Sequence, residues 1–175
     1  MGRTSWTSWR PRVSGFIGRQ ATSIRLQEVM QSGSCQCKNI TYSFEKEKVI
    51  SVHNCHCSDC QRSTGSGKAT LIYVAKKNLA VEGNVKFFET KGSLGLHIRR
   101  GFCENCGSGI LSYAKELPML IFLKVGTLDD SSWVKVDSNF FSESAHNWNK
   151  VDEEIKSFRG NPDMITNIKA LFKAI

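Results

Sequence analysis

Cys55, Cys57 and Cys60 place three thiols within six residues, in a C-x-C-x-x-C run. A C-x-C pair, Cys35 and Cys37, stands upstream, and a C-x-x-C pair, Cys103 and Cys106, stands downstream. The three groups use all seven cysteines of the chain. Thiols grouped in this way suit a soft divalent metal, and zinc is the usual occupant of sites built mainly of thiolate. Four thiolates close a tetrahedral zinc, which is then structural, whereas three leave a position open to water or substrate. Seven divides into four and three, so the expectation is two zinc ions per chain. Cys35, Cys37, Cys103 and Cys106 would close the structural site, and Cys55, Cys57 and Cys60 would hold the catalytic one. A C-x-C-x-x-C run can wrap an ion without help from distant chain, which favours this division. The other division sets Cys57 and Cys60 with Cys103 and Cys106 in a ribbon-like site, leaving Cys35, Cys37 and Cys55 over.

Three other uses compete for the thiols. A disulfide framework is disfavoured by the odd count, by the lack of a secretory signal before the clusters, and by a domain large enough to fold without staples. A thioredoxin-type redox pair lacks its surrounding βαβ pattern. The serious rival is a pair of purely structural zinc sites, with His53 or His56 completing the second.

Three stretches carry a family resemblance: Gly33-Ser-Cys-Gln-Cys37, Cys55-His-Cys-Ser-Asp-Cys-Gln-Arg-Ser-Thr-Gly65 and Arg100-Gly-Phe-Cys-Glu-Asn-Cys-Gly107. Together they resemble the glutathione-dependent formaldehyde-activating enzyme family, which also includes centromere protein V. The likeness covers residues 33 to 160. It implies a mainly β, zinc-bearing β-tent fold of antiparallel strands. It also matches Cys35, Cys37, Cys103 and Cys106 to structural zinc ligands, and Cys55, Cys57 and Cys60 to catalytic ones. Two positions depart from the family pattern: Lys38 stands where members usually carry Gly, and Asn139 where many carry His. The activity implied is carbon–sulfur lyase chemistry, in which a thiol such as glutathione adds to an aldehyde such as formaldehyde and S-hydroxymethylglutathione leaves. The alternative within the same likeness is a non-catalytic zinc module that binds a partner.

The physical chemistry supports a thiol-binding zinc. Coordination lowers a thiol pKa, so a thiolate exists at neutral pH without a separate base, and the metal orients that sulfur beside an electrophile. A hydrolytic zinc-water is less suited: three anionic sulfurs weaken the Lewis acid, and no H-E-x-x-H motif supplies a base.

Strands must position these thiols. On extended chain, residues i and i+2 project to one side, so C-x-C suits a strand end and C-x-x-C a turn. Period-two alternation predicts a strand over 40–44, a solvated turn over 45–48 and a strand over 49–54 that delivers Cys55. Residues 61–67 read as a polar, glycine-bearing loop whose amides and Arg62 could hold an anion. Further strands are expected over 69–75, 79–81, 85–90, 94–102, 110–113, 119–125, 133–136 and 139–144. Arg99 and Arg100 either offset thiolate charge or face solvent, and the His146-Asn-Trp148 segment is expected near the active site by likeness. Asn161-Pro-Asp163 reads as the start of an amphipathic C-terminal helix, with Met164, Ile168, Leu171, Phe172 and Ile175 on one face.

Composition sets the remaining bounds. The formal charge of +8 splits evenly between residues 1–29, with five arginines and one acid, and the rest of the chain, with 19 basic and 15 acidic side chains. A nucleic-acid role is therefore disfavoured, because the domain itself is only mildly basic. No apolar run is long enough to span a membrane. The Arg- and Ser-rich segment before Met30 reads as an extension outside the packed domain, or as a mitochondrial presequence. The expected organisation is thus an extension over 1–30, a zinc domain over 31–160 and a helix over 161–175. The expected location is cytoplasmic, or mitochondrial if the presequence reading holds.

Overall fold

A computed structural model describes residues 30–92 and 95–162. The extension before residue 30 and the helix expected after Pro162 lie outside these residues. The first sheet has three antiparallel strands: β1 (Met30–Ser34), β2 (Thr41–Glu45) and β5 (Leu79–Glu82), in the order β1-β2-β5. The second has seven: β3 (Val49–Cys55), β4 (Ala69–Ala75), β6 (Val85–Lys91), β7 (His97–Cys103), β8 (Gly109–Ala114), β9 (Leu120–Lys124) and β10 (Ser138–Phe140). Their order is β10-β3-β4-β9-β8-β7-β6, all antiparallel except the parallel β10–β3 pair. Among the described residues one α-helix, α1 (Ser58–Thr64), follows shortly after β3. The mainly β architecture implied by the sequence is the one adopted.

Alternation sorts the large sheet into two faces. Ile72 and Val74 of β4, Ile121 and Leu123 of β9 and Leu111 of β8 point to one side. They form the main core with Ile40, Tyr42 and Phe44, so that core lies between the two sheets. Ile72, Val74 and Leu123 are fully buried, and burying each is worth roughly 1.5–3 kcal/mol. The opposite face of these strands and of β7 beside them carries Leu71, Tyr73, Phe122, Lys124, Ser112 and Arg100, and all six line one cavity.

Three local expectations are corrected. Residues 61–67 are no simple loop: Ser58–Thr64 is helical, capped by Gly65 at φ 63°, a left-handed position suited to glycine. Residues 133–136 form no strand; Trp133, Val134 and Val136 instead pack on the core as partly buried side chains. The strand expected over 139–144 is shorter, because Phe141 turns to φ 56° and a 3-10 turn follows over Ser142–Ser144. One strand went unread: Met30–Ser34, whose Gln-Ser-Gly-Ser composition is a poor strand signal. Its pairing along β2 supplies what propensity does not.

Candidate metal centres and the cavity beside them

The sulfurs gather into two sets. Those of Cys35, Cys37, Cys103 and Cys106 lie within 4.8 Å of one another, and so do those of Cys55, Cys57 and Cys60. Cys57 and Cys60 thus stand apart from Cys103 and Cys106, contrary to the ribbon-like division.

The four-sulfur set joins two turns that are remote in sequence. The turn after β1 is closed by Lys38 N–H donating to the Cys35 carbonyl at 2.9 Å, and it brings Cys37 Sγ to 3.7 Å from Cys103 Sγ. Lys38 sits there at φ 62°, a left-handed conformation that suits glycine better than lysine. Cys35 and Cys103 are buried within the main core, and the Ile40 N–H donates to Cys35 Sγ at 3.2 Å.

The three-sulfur set is local. Cys55 ends β3, and Cys57 is the N-cap of α1, its sulfur accepting from the Cys60 N–H at 3.4 Å. Cys55 and Cys57 sulfurs lie 3.5 Å apart. Hydrogen bonds from the Cys55 and Cys60 thiols hold the Cys57 pKa far below the usual thiol range. Cys55 is pushed up, first by its bond to Cys57 and then by Cys60 and burial. This is a set of sulfurs disposed to share negative charge, the property a soft cation requires.

No histidine joins either set among the described residues. His53 is held by Ser138 Oγ on Nδ1 and Ser51 Oγ on Nε2, both at 2.8 Å, and stacks on Phe140 at 4.3 Å. Burial lowers its pKa to about 4. His56 is fully buried; neither ring nitrogen meets hydrogen-bond geometry, and burial pushes its pKa down. The closing ligand that a second structural zinc would need is therefore not at hand from these two residues.

Only the three-sulfur set opens on the cavity, a space of about 530 Å3. Its polar rim is not where the sequence placed it. From α1 it takes Ser58, Asp59, Cys60 and Ser63, whereas Arg62 is exposed and contributes nothing to the wall. His146 lies outside it: Nε2 meets Gln61 Oε1 at 3.0 Å and the ring stacks on Trp148, so it steadies α1. Asn139 also faces away, buried and bridging to Asn54, whose Nδ2 donates to Asn139 Oδ1 at 2.9 Å. The paired arginines divide as adjacent strand residues must. Arg100 enters the cavity, 3.5 Å from Asp59 Oδ2 and donating to Thr90 Oγ1, while Arg99 stacks on Phe87 outside.

Lys124 is the cavity residue that sequence reasoning missed. Its Nζ donates to the Ser63 carbonyl at 2.9 Å, and burial lowers its pKa, with the Cys60 charge opposing. The available signal was a single cation in phase with Leu120 and Phe122 on an otherwise apolar strand. Phe140 and Phe141 complete the aromatic wall, brought there by the short parallel pairing of β10 on β3.

Comparison with known proteins bears on the same residues. No curated protein matches the chain. A crystal structure of a Rhodobacter sphaeroides protein is similar at 21% identity and a TM-score of 0.45, covering 59% of this chain and 90% of that one. The family model described as glutathione-dependent formaldehyde-activating enzyme matches residues 30–148, a span that contains all seven cysteines and every strand of both sheets. On that match, the chain belongs to the glutathione-dependent formaldehyde-activating enzyme family.

Proposed function

We propose that the chain is a zinc enzyme of carbon–sulfur lyase type, which joins a thiol such as glutathione to an aldehyde such as formaldehyde. One observation carries the reading: the three-sulfur set lines a cavity, while the four-sulfur set contributes nothing to that wall. In this reading Cys35, Cys37, Cys103 and Cys106 hold a structural zinc, and Cys55, Cys57 and Cys60 a catalytic one. Zinc on three thiolates supplies a soft acceptor for a substrate sulfur and lowers that thiol's pKa.

The chain's own residues position the reaction. The end of β3 and the first turn of α1 fix the three sulfurs, and the wall of Leu71, Tyr73 and Phe122 keeps water from the reacting atoms. Addition forms a carbon–sulfur bond as the carbonyl π pair moves to oxygen, which then takes up the proton the thiol lost. Negative charge grows on that oxygen, and Arg100 presents its cationic head to the same space. The product is the S-hydroxymethyl thiol, and the reverse direction is the lyase reaction.

The test is to incubate zinc-loaded protein with glutathione and formaldehyde and follow adduct formation by NMR against the uncatalysed background. A rate above background that disappears in Cys57→Ser supports the reading. A rate equal to background with two zinc ions bound sinks it. The non-catalytic module is the weaker reading, since neither His53 nor His56 joins the three-sulfur set.

A further inference from the structure

The cavity is far larger than the small aldehyde requires, and its walls are graded. Formaldehyde has two heavy atoms, and a water molecule's share of liquid volume is about 30 Å3, so 530 Å3 exceeds the need of such a reactant by an order of magnitude. Three rungs of paired residues cross its floor. Leu71 and Lys124 form the first, beside the cysteines. Tyr73, Phe122, Ser112 and Arg100 form the second. Leu120, with Ala114 and its neighbour Ile98, forms the third. Lys124 to Leu120 is four strand residues, roughly 13 Å at about 3.3 Å each.

Partly buried charge is found at one end only, and Lys91, the charged residue at the far end, is exposed at the rim. Arg100 is already met by Asp59 and Thr90. Lys124 has no carboxylate partner among the described residues. Its place is made by Gly109, where a Cβ would come within 2.4 Å of Nζ. At the far end, Leu96, Ile98, Ala114, Leu117 and Leu120 offer no side-chain hydrogen bond or charge.

We propose that the cavity selects an elongated amphipathic substrate, with its anionic group at Lys124 beside the cysteines and an apolar chain or ring running along Tyr73 and Phe122 to Leu120. The inference deepens the proposed function and rests on it in one respect, that the reacting end lies at Cys55, Cys57 and Cys60. It assigns specificity to the wall rather than to the metal.

The probes are thiol-free, so that binding reports the wall alone: butanoate, hexanoate and octanoate, with octan-1-ol and octylammonium as head-group controls, titrated calorimetrically into the zinc-loaded full-length chain. Affinity should rise about fourfold per methylene, roughly 250-fold over the four methylenes from butanoate to octanoate. Octanoate should bind more tightly than octan-1-ol, and octylammonium least. Lys124→Met should erase the octanoate preference while octan-1-ol still binds. Ile98→Glu should abolish the gain with chain length. A flat wild-type series, or octan-1-ol binding as well as octanoate, overturns the proposal without recourse to any variant. Glutathione–formaldehyde turnover measured alongside separates the two readings. A chain-length gain without turnover of any thiol sinks the enzyme reading alone, and turnover with a flat series sinks only this one.

Discussion

Removing a sulfur should cost the fold far more from one set than from the other. An ion held by the four-sulfur set ties the turn carrying Cys37 to the turn carrying Cys103, 66 residues on. A cross-link of that span removes about 4 kcal/mol of loop-closure entropy from the unfolded chain, and one spanning the five or so residues of the central run about 2 kcal/mol. The remote cross-link also anchors both turns inside the main core, with Cys35 at 1% and Cys103 at 2% exposure, while the central set borders a cavity. Cys103→Ser should therefore unfold at a markedly lower temperature than Cys57→Ser. For a chain of this length each kcal/mol moves Tm by about 2–4 °C, giving drops of about 8–16 °C and about 4–8 °C respectively. The assay is thermal unfolding by circular dichroism, with zinc per chain measured for both variants. Cys57→Ser should lose one zinc and keep its fold, whereas Cys103→Ser should lose stability outright. Equal drops in Tm, or a larger drop for Cys57→Ser, would refute the division of labour between the sets.

Three further outcomes follow from single residues. Lys38→Gly should raise stability by up to about 1 kcal/mol, because Lys38 stands at φ 62° and relief of the left-handed strain exceeds the extra entropy of glycine; a lower Tm than wild type would contradict this. Gly33→Ala should destabilise by roughly 1–3 kcal/mol or more, since its Cβ would come within 2.3 Å of both the Thr127 carbonyl oxygen and Tyr42 Oη; an unchanged denaturant midpoint would show that the turn yields freely. Burial holds Tyr42 up at about 12, against 10 for a free phenol. The folded pKa is raised, so the Tyr42 contribution is intact below pH 10 and is lost as pH climbs towards 12, about 3 kcal/mol in all. Tyr42→Phe should flatten that part of the alkaline unfolding profile, and a profile as steep as wild type would exclude Tyr42 as its source.

Local spacing made the sulfur chemistry legible before any fold was known. C-x-C at a strand end and C-x-x-C at a turn are short-range devices, so the three groups could be read from the chain itself. The apolar runs over 69–75 and 119–125, bounded by turn residues, likewise marked strands. What misled the reading was context. Gln61 and Arg62 are polar, yet they belong to a helix because Cys57 caps it and Gly65 ends it. The polar segment from Met30 is a strand because β2 pairs with it.

The amino-acid order alone therefore determined that thiols would be grouped, that a soft metal would suit them, and which family the chain resembles. Tertiary structure decided which groups meet. Cys37 reaches Cys103 only because β1, β2 and β7 pack around a shared core, and Lys124 reaches Ser63 across a separation of 61 residues. It also decided that the three-sulfur set would face a long apolar trough, since the trough is one face of four strands brought side by side. Short-range pattern fixes which face of a strand a side chain occupies; only the pairing of strands fixes what stands beside it.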